Sequence, residues 1–232
     1  MNKKTRNWMI TGAAVVLLAG AGGYAFMDNY LGNRVEITEA IPASAAAANG
    51  GSAVQAIVNG EQLNGDWKIA EPSKVYFSVT TSRETVNFEN AAVSGNWTIQ
   101  LDQPEKMKAE GIVEMSKVSS GNAQRDGHIQ NEEFFNMPEH PQAKFVASSF
   151  EGLPAEWKEG TVYDFNMPGV LTVKGVDKEV TFKAQALYQN KQVRLSGVTT
   201  VTFADFGMKN PHSVVLETEN DISVRLELVL ER

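Results

Sequence analysis

Few side chains of this 232-residue chain are of a type that performs chemistry, and they are widely spaced. The chain has no cysteine, which excludes disulfides, thiolate metal sites and cysteine nucleophiles. Its three histidines are His128, His140 and His212, and none has another at the close spacing that lets two imidazoles share a metal ion. Nucleophile elbows, phosphate loops and zinc helix motifs are also missing from the sequence. We therefore predict no metal site, no cofactor and no enzymatic activity.

The charge distribution argues against nucleic acid as a partner. The formal net charge is −7 at pH 7. The basic residues Lys3, Lys4 and Arg6 all precede the first apolar run, so the rest of the chain is more acidic still. A surface with this excess of negative charge repels a phosphate backbone. We therefore predict no nucleic-acid partner.

An apolar run near the N-terminus predicts a membrane anchor. Residues 7–27 contain no charged side chain, and a helix of that length, at about 1.5 Å per residue, spans a hydrocarbon core of roughly 30 Å. The basic residues before the run favour a cytoplasmic location for residues 1–6. We therefore predict a single-pass protein of the cell membrane whose N-terminus is cytoplasmic and whose remaining chain lies outside the cytoplasm.

A cleavable signal peptide is the alternative for the same segment. Ala19, Gly20 and Ala21 form a small-residue cleavage site, and a chain cut there would be secreted. The apolar run continues past this site to Met27, which favours a retained anchor. The spacing of Ala19 and Gly23 would let two anchor helices approach closely, so a dimer is one alternative to a monomer.

Residues 28–64 are predicted to be a flexible linker between the anchor and a folded domain at residues 65–232. The stretch 42–52 consists of small, nearly uncharged residues and has no lasting apolar period. A linker of this kind would hold the domain away from the bilayer.

Within the domain, apolar residues recur at every second position between clusters of turn-forming residues, which is the pattern of half-buried β-strands. One face of each predicted strand is apolar, whereas the other carries polar residues such as Arg194, Ser196 and Glu227. This difference favours antiparallel strands over parallel ones. About eight strands fit the domain. The pattern therefore predicts an all-β fold, an eight-stranded antiparallel β-barrel whose interior is filled by side chains or holds one small ligand.

One segment, residues 122–137, interrupts the alternation. Ile129 and Phe134 would share one side of a helix there, and Pro138 and Pro141 would stop it. We predict a short helix near one mouth of the barrel.

Several spaced motifs stand in the domain in a fixed order. They are Gly65-Asp66-Trp67-Lys68-Ile69, Ser119-Ser120-Gly121, Arg125-Asp126-Gly127-His128-Ile129, Lys144-Phe145-Val146-Ala147-Ser148, Gly169-Val170-Leu171-Thr172-Val173 and Asp205-Phe206-Gly207-Met208. With these motifs, residues 66–232 resemble the YceI-like family of exported bacterial proteins, often described as polyisoprenoid-binding. The resemblance implies a lipocalin-like barrel whose apolar interior holds an isoprenoid or other lipid tail, and it implies no established catalytic residue.

A lipid tail inside the barrel would contact the inward faces of the strands. The predicted lining residues are Phe77, Val79, Trp97, Ile99, Met115, Phe145, Ala147, Leu171, Phe182, Phe203 and Leu226. The alternative is that these side chains simply fill a core.

A headgroup would contact polar residues at the mouth, and Arg125, Asp126, His128 and Ser148 are the predicted contacts. For Arg125 and Asp126 the alternative is an ion pair or a helix cap that positions the motif.

The leading hypothesis is a membrane-tethered extracytoplasmic protein that sequesters, carries or presents an isoprenoid or similar long-chain amphiphile. Its predicted partners are the lipid ligand and the membrane. The alternative is a protein-interaction module of the cell envelope that uses the barrel as a scaffold and residues 122–137 as a contact loop.

Overall fold

The predicted alternation of apolar and polar residues appears as strands with one buried and one exposed face. A computed structural model describes residues 32–42, 57–58, 60–211 and 217–232. The predicted anchor at residues 7–27 and His212 lie outside these residues. Within the described part of the chain, no helix is both long enough and apolar enough to span a membrane.

Eleven strands and two helices make up the regular structure of the described residues. The strands are β1 (Ile57–Val58), β2 (Gly65–Thr81), β3 (Thr85–Asn90), β4 (Val93–Ile99), β5 (Lys108–Glu114), β6 (Gln142–Ala147), β7 (Trp157–Lys158), β8 (Val162–Val173), β9 (Val176–Gln189), β10 (Gln192–Thr202) and β11 (Thr218–Glu231). The helices are α1 (Gly60–Leu63) and α2 (Ala123–Ile129), and single 3₁₀ turns span Pro104–Lys106, Met115–Lys117 and Ala204–Phe206.

Eight of the strands close into a barrel. Strands β2, β4, β5, β6, β8, β9, β10 and β11 pair in this order, every pair is antiparallel, and β11 pairs back with β2. Strand β3 continues the wall by pairing with the second half of β2. The pairing of β11 with β2 removes the two outer edges that an open sheet of these eight strands would expose. The prediction of an eight-stranded antiparallel barrel is confirmed.

The two ends of the barrel differ. The α1 end carries α1, the short β1–β7 sheet and the β9–β10 turn, and it is filled by the buried rings of Trp67, Phe150, Trp157 and Tyr188. The Trp67 indole N–H donates to the Leu63 carbonyl at 2.8 Å, which ties α1 to this end. The α2 end carries α2, the β8–β9 turn and the residues after β10.

The predicted helix is shorter than its sequence pattern indicates. Helix α2 begins after Asn122, whose side chain accepts hydrogen bonds from two backbone N–H groups of the first turn, and it ends at Ile129. The chain then folds back on itself, because Phe135 N–H donates to the Ile129 carbonyl and Met137 N–H donates to the Gln130 carbonyl. Helix and turn cover a second apolar cluster that includes Phe88, Met115, Val118, Ile129 and Met137.

Residues 32–42, which we call the strap, were predicted to be part of a flexible linker but pack on the outer wall of the barrel. Val35, Ala40 and Ile41 are buried there. Ile41 forms a small apolar cluster with Val162 and Leu187. Its apolar residues and backbone hydrogen-bonding groups find partners on the barrel surface.

The strap also changes the environment of Glu227. Strand alternation places this side chain on the outer face as predicted, yet it is 2% exposed. Its carboxylate accepts hydrogen bonds from the Ala40 N–H at 2.7 Å, the Ser196 hydroxyl at 2.8 Å and Arg225 Nη1 at 3.1 Å. A buried carboxylate needs such partners to offset its lost hydration.

Candidate functional site

The half of the barrel nearer α2 contains an apolar cavity of about 110 Å³. Inward-facing side chains from all eight barrel strands contribute to its wall. The cavity lies above the aromatic residues that fill the α1 end, and it reaches the residues that cover the α2 end. Its lining includes Ile69, Val75, Phe77, Val93, Trp97, Ala109, Gly111, Val113, Met115, Val118, Phe135, Ala143, Phe145, Leu171, Val173, Phe182, Val201, Phe206, Met208, Ile222, Val224, Leu226 and Leu228.

Seven of the predicted lining residues face this cavity, namely Phe77, Trp97, Met115, Phe145, Leu171, Phe182 and Leu226. The other predicted positions, Val79, Ile99, Ala147 and Phe203, lie outside its lining. Ile99 and Ala147 end their strands toward the α1 end, where the core is filled. Phe203 has helical backbone angles at the start of a 3₁₀ turn, so its side chain leaves the alternation of β10.

Two glycines shape the wall. A Cβ built on Gly111 meets nothing closer than Ile69 Cδ1 at 3.9 Å, so the absence of a side chain there leaves open space in the cavity. A Cβ on Gly169 would lie 2.5 Å from Phe145 Cζ, which shows that the Phe145 ring packs directly on the Gly169 backbone. Phe145 in turn meets Phe182 edge to face, with ring centroids 5.0 Å apart.

Aromatic rings cover the α2 end of the cavity. Phe77 stacks on Phe88 with ring centroids 4.3 Å apart, and Phe135 meets Phe77 edge to face at 5.5 Å. Phe135 is half-buried and comes from the turn after α2, not from a strand. A ligand entering from this end would therefore pass Phe135.

The turn after β10 supplies two further cavity residues, Phe206 and Met208. Gly207 takes the left-handed conformation at φ 66°, and the Met208 N–H donates to the Phe203 carbonyl. Asp205 fixes this turn by accepting hydrogen bonds from Lys178 Nζ at 2.6 Å and Thr202 N–H at 2.8 Å. These two donors hold the pKa of the Asp205 carboxyl below its ordinary value of 3.8.

Sequence reasoning missed several lining residues. Val75 lies two positions before Phe77, and Val113 lies two positions before Met115, so the alternation could have identified both as inward-facing. Phe135, Phe206 and Met208 come from turns, where no period marks the inward face.

Of the predicted headgroup contacts, Arg125 and Asp126 hold α2 in place. Arg125 is buried; its Nε donates to the Ser120 hydroxyl at 2.8 Å, and its guanidinium lies 5.6 Å from the centre of the Phe88 ring. The Asp126 carboxylate accepts the Ser120 N–H at 2.8 Å. These contacts correspond to the positioning role given as the alternative, although the helix cap is Asn122.

The other two predicted headgroup residues are not brought together. His128 is exposed on α2 beside Phe134, with ring centroids 5.0 Å apart. Ser148 is exposed beyond the far end of β6, and its N–H donates to the Pro168 carbonyl at 2.8 Å. Since β6 begins at the α2 end, its six residues place Ser148 about 20 Å from the strand start.

Trp97, one of the lining residues, has a polar atom in its side chain, the indole N–H. This nitrogen is buried and has no hydrogen-bond acceptor among the described residues. Leaving such a donor unpaired costs about 1–3 kcal/mol. No group of three or more His, Cys, Asp or Glu side chains within the described residues could hold a metal ion.

Comparison with known proteins places these features in a family. The model of the YceI-like domain matches residues 67–230. A UPF0312 protein of Pseudomonas putida strain GB-1 is 31% identical over 136 residues, which are 56% of this chain and 67% of that protein. A UPF0312 protein of Pseudomonas fluorescens strain SBW25 is 28% identical over 165 residues, covering 68% and 78%.

Two solved structures share the fold. BcnA of Burkholderia cenocepacia superimposes with a TM-score of 0.59 at 18% identity, covering 68% of this chain and 95% of BcnA. A Saccharophagus degradans domain described as polyisoprenoid binding gives 0.58 at 13% identity, covering 71% of this chain and 97% of that domain. At these identities the likeness concerns the fold alone.

Proposed function

Because this chain belongs to the YceI-like domain family, we propose that its barrel binds the apolar chain of an isoprenoid or similar long-chain amphiphile. The observation that supports this proposal best is the cavity of about 110 Å³, whose lining is almost entirely apolar. The description of the Saccharophagus degradans domain as polyisoprenoid binding supports the same class of ligand. The role is binding and not catalysis.

The dimensions of the cavity limit how a chain can enter it. An engineered cavity of about 150 Å³ in another protein holds one benzene molecule, so this cavity accepts a few carbon atoms without rearrangement. A longer chain displaces side chains toward the α2 end. Met115 and Met208 line that end, and the unbranched methionine side chain adapts readily to a new shape.

The hydrophobic effect provides the driving force. Each buried methylene contributes about 0.8 kcal/mol, so one five-carbon isoprene unit contributes roughly 4 kcal/mol before the cost of ordering ligand and side chains. The length of the ligand chain then determines affinity. Selectivity among ligands comes from how far the side chains at the α2 end can move to admit a longer chain.

We propose further that the domain lies outside the cytoplasm and that residues 7–27 anchor it to the membrane. The absence of charge over this run and the basic residues before it support the anchor. A tethered domain would sequester, carry or present its lipid near the outer face of the membrane.

Mass spectrometry of organic extracts from the purified full-length chain tests the proposal. We expect a long-chain lipid at close to one molecule per barrel, chemically unchanged after incubation with the protein. A matched variant, Gly111→Leu, should lose this lipid because the new side chain occupies the cavity. Equal lipid content in the two proteins, or no lipid in either after reconstitution with polyprenols, would reject the proposal.

A further inference from the structure

The strap begins at the α2 end of the barrel. Arg125 Nη1, on α2, donates to the Gly32 carbonyl at 3.2 Å. Arg34 packs so closely on the chain before α2 that a Cβ on Gly121 would lie 2.9 Å from Arg34 Cβ. The Asn33 side chain accepts the Asn87 N–H at 2.9 Å. The first residues of the strap are therefore fixed beside α2.

From there the strap crosses the outer wall toward the α1 end. Thr38 N–H donates to the Tyr76 hydroxyl at 3.1 Å, and Arg194 Nη1 donates to the Ala40 carbonyl at 3.0 Å. Ala40 also donates to the buried Glu227, and Ile41 packs beside Leu187 on β9. Detaching the strap would expose apolar side chains and remove one of the three hydrogen-bond donors to the buried Glu227 carboxylate, which opposes its release.

The short distance between the strap and the predicted anchor restricts how the barrel can be oriented. Met27 ends the apolar run, and four residues separate it from Gly32. Five Cα steps span at most about 18 Å. The opposite end of the barrel is about 30 Å further away, given the eleven residues of β10 and the tilt typical of barrel strands.

We propose that the strap holds the α2 end of the barrel against the membrane surface, so that an apolar chain passes between bilayer and cavity without crossing bulk water. This inference rests on the proposed membrane anchor and on the proposed lipid ligand. The cavity extends to the α2 end, whereas the α1 end is filled by aromatic side chains. Val176, an apolar side chain that is 40% exposed, begins β9 directly after the β8–β9 turn at the same end.

Site-specific labels on the full-length chain in vesicles test this orientation. The chain has no native cysteine, so Gln124→Cys on α2 and Glu156→Cys near the α1 end each accept a single fluorophore; both positions are exposed. The vesicles are phosphatidylcholine with a fraction of headgroup spin-labelled lipid, which quenches nearby fluorophores. We expect severalfold stronger quenching at position 124 than at position 156. Equal quenching, stronger quenching at position 156 or failure of the chain to remain with the vesicles would overturn the proposal.

A longer tether serves as the control for the strap. Insertion of twenty Gly and Ser residues between Met27 and Gly32 adds a flexible segment with an end-to-end distance of about 25 Å. We expect the difference between the two labels to disappear, and its persistence would show that the strap does not set the orientation. Lipid extracted from the same samples is measured separately. Stronger quenching at position 124 without bound lipid supports the orientation and rejects lipid binding. Bound lipid with equal quenching at the two positions supports lipid binding and rejects the orientation.

Discussion

Filling the cavity at Gly111 should separate ligand binding from folding. Gly111 faces the cavity from the middle of β5, and a Cβ there has open space around it. In the Gly111→Leu variant a four-carbon side chain enters the volume that we assign to the ligand. A residue that merely fills a packed core would lack this space, and its enlargement would strain the barrel.

The two expected effects have opposite signs. Burial of the leucine side chain stabilises the ligand-free barrel by about 2 kcal/mol, which raises Tm by roughly 4–8 °C for a domain of this size. The same side chain removes contacts that ligand methylenes would make. A loss of about 2.8 kcal/mol in binding corresponds to roughly 100-fold weaker affinity.

Thermal unfolding of delipidated protein and titration with a fluorescent polyprenol measure the two effects. Gly127→Leu is the matched control, because Gly127 is exposed on α2 and its Cβ would meet no atom within 4 Å. This control should gain up to about 1 kcal/mol from helix propensity without losing affinity. Unchanged polyprenol affinity in a folded Gly111→Leu or Gly111→Val protein would refute the assignment of the cavity as the binding site.

Three further predictions concern single contacts. Trp97→Phe removes a buried donor that has no acceptor and also part of a buried ring, so the free energy of unfolding should fall by less than about 3 kcal/mol. A larger fall in unfolding experiments would contradict the absence of an acceptor for the indole N–H. Because the folded-state pKa of Asp205 is lowered, the stability that its pairing with Lys178 provides is present above its ordinary pKa of 3.8 and is lost as pH falls through the folded pKa. In unfolding experiments between about pH 5 and pH 2, the stability of Asp205→Asn should therefore depend less on pH than that of the unchanged protein. An identical pH dependence in the two proteins would contradict the pairing. Ile41→Ser should lower the free energy of unfolding by about 2 kcal/mol, because it exposes Leu187. Proteases should then cleave the strap of this variant faster than its barrel. Equal cleavage rates for strap and barrel would argue against the packing of Ile41.

The face that each strand residue presents could be predicted from the sequence. Strand geometry alternates side chains between two faces, and this is a local property of the chain. The burial of Val193, Leu195 and Val201 in β10 follows this alternation directly. The spaced motifs identified the family for the same reason, because they are contiguous stretches of the chain.

Contacts between distant segments could not be predicted in this way. The alternation placed Glu227 on the outer face, but its burial depends on the strap, whose Ala40 lies 187 positions earlier in the chain. The strap in turn looked like part of a linker, because its few apolar residues have no strand or helix period. Only the folded barrel provides the surface on which those residues pack.

The cavity depended on the tertiary structure most of all. Trp97 and Ile99 share one face of β4, yet Trp97 lines the cavity and Ile99 packs in the filled core near α1. The sequence determined that both side chains point inward. The position of the open volume was decided by the closure and register of the strands and by the turns that bring Phe135 and Phe206 over the α2 end. The physical reason is that open volume depends on how all neighbouring side chains pack together.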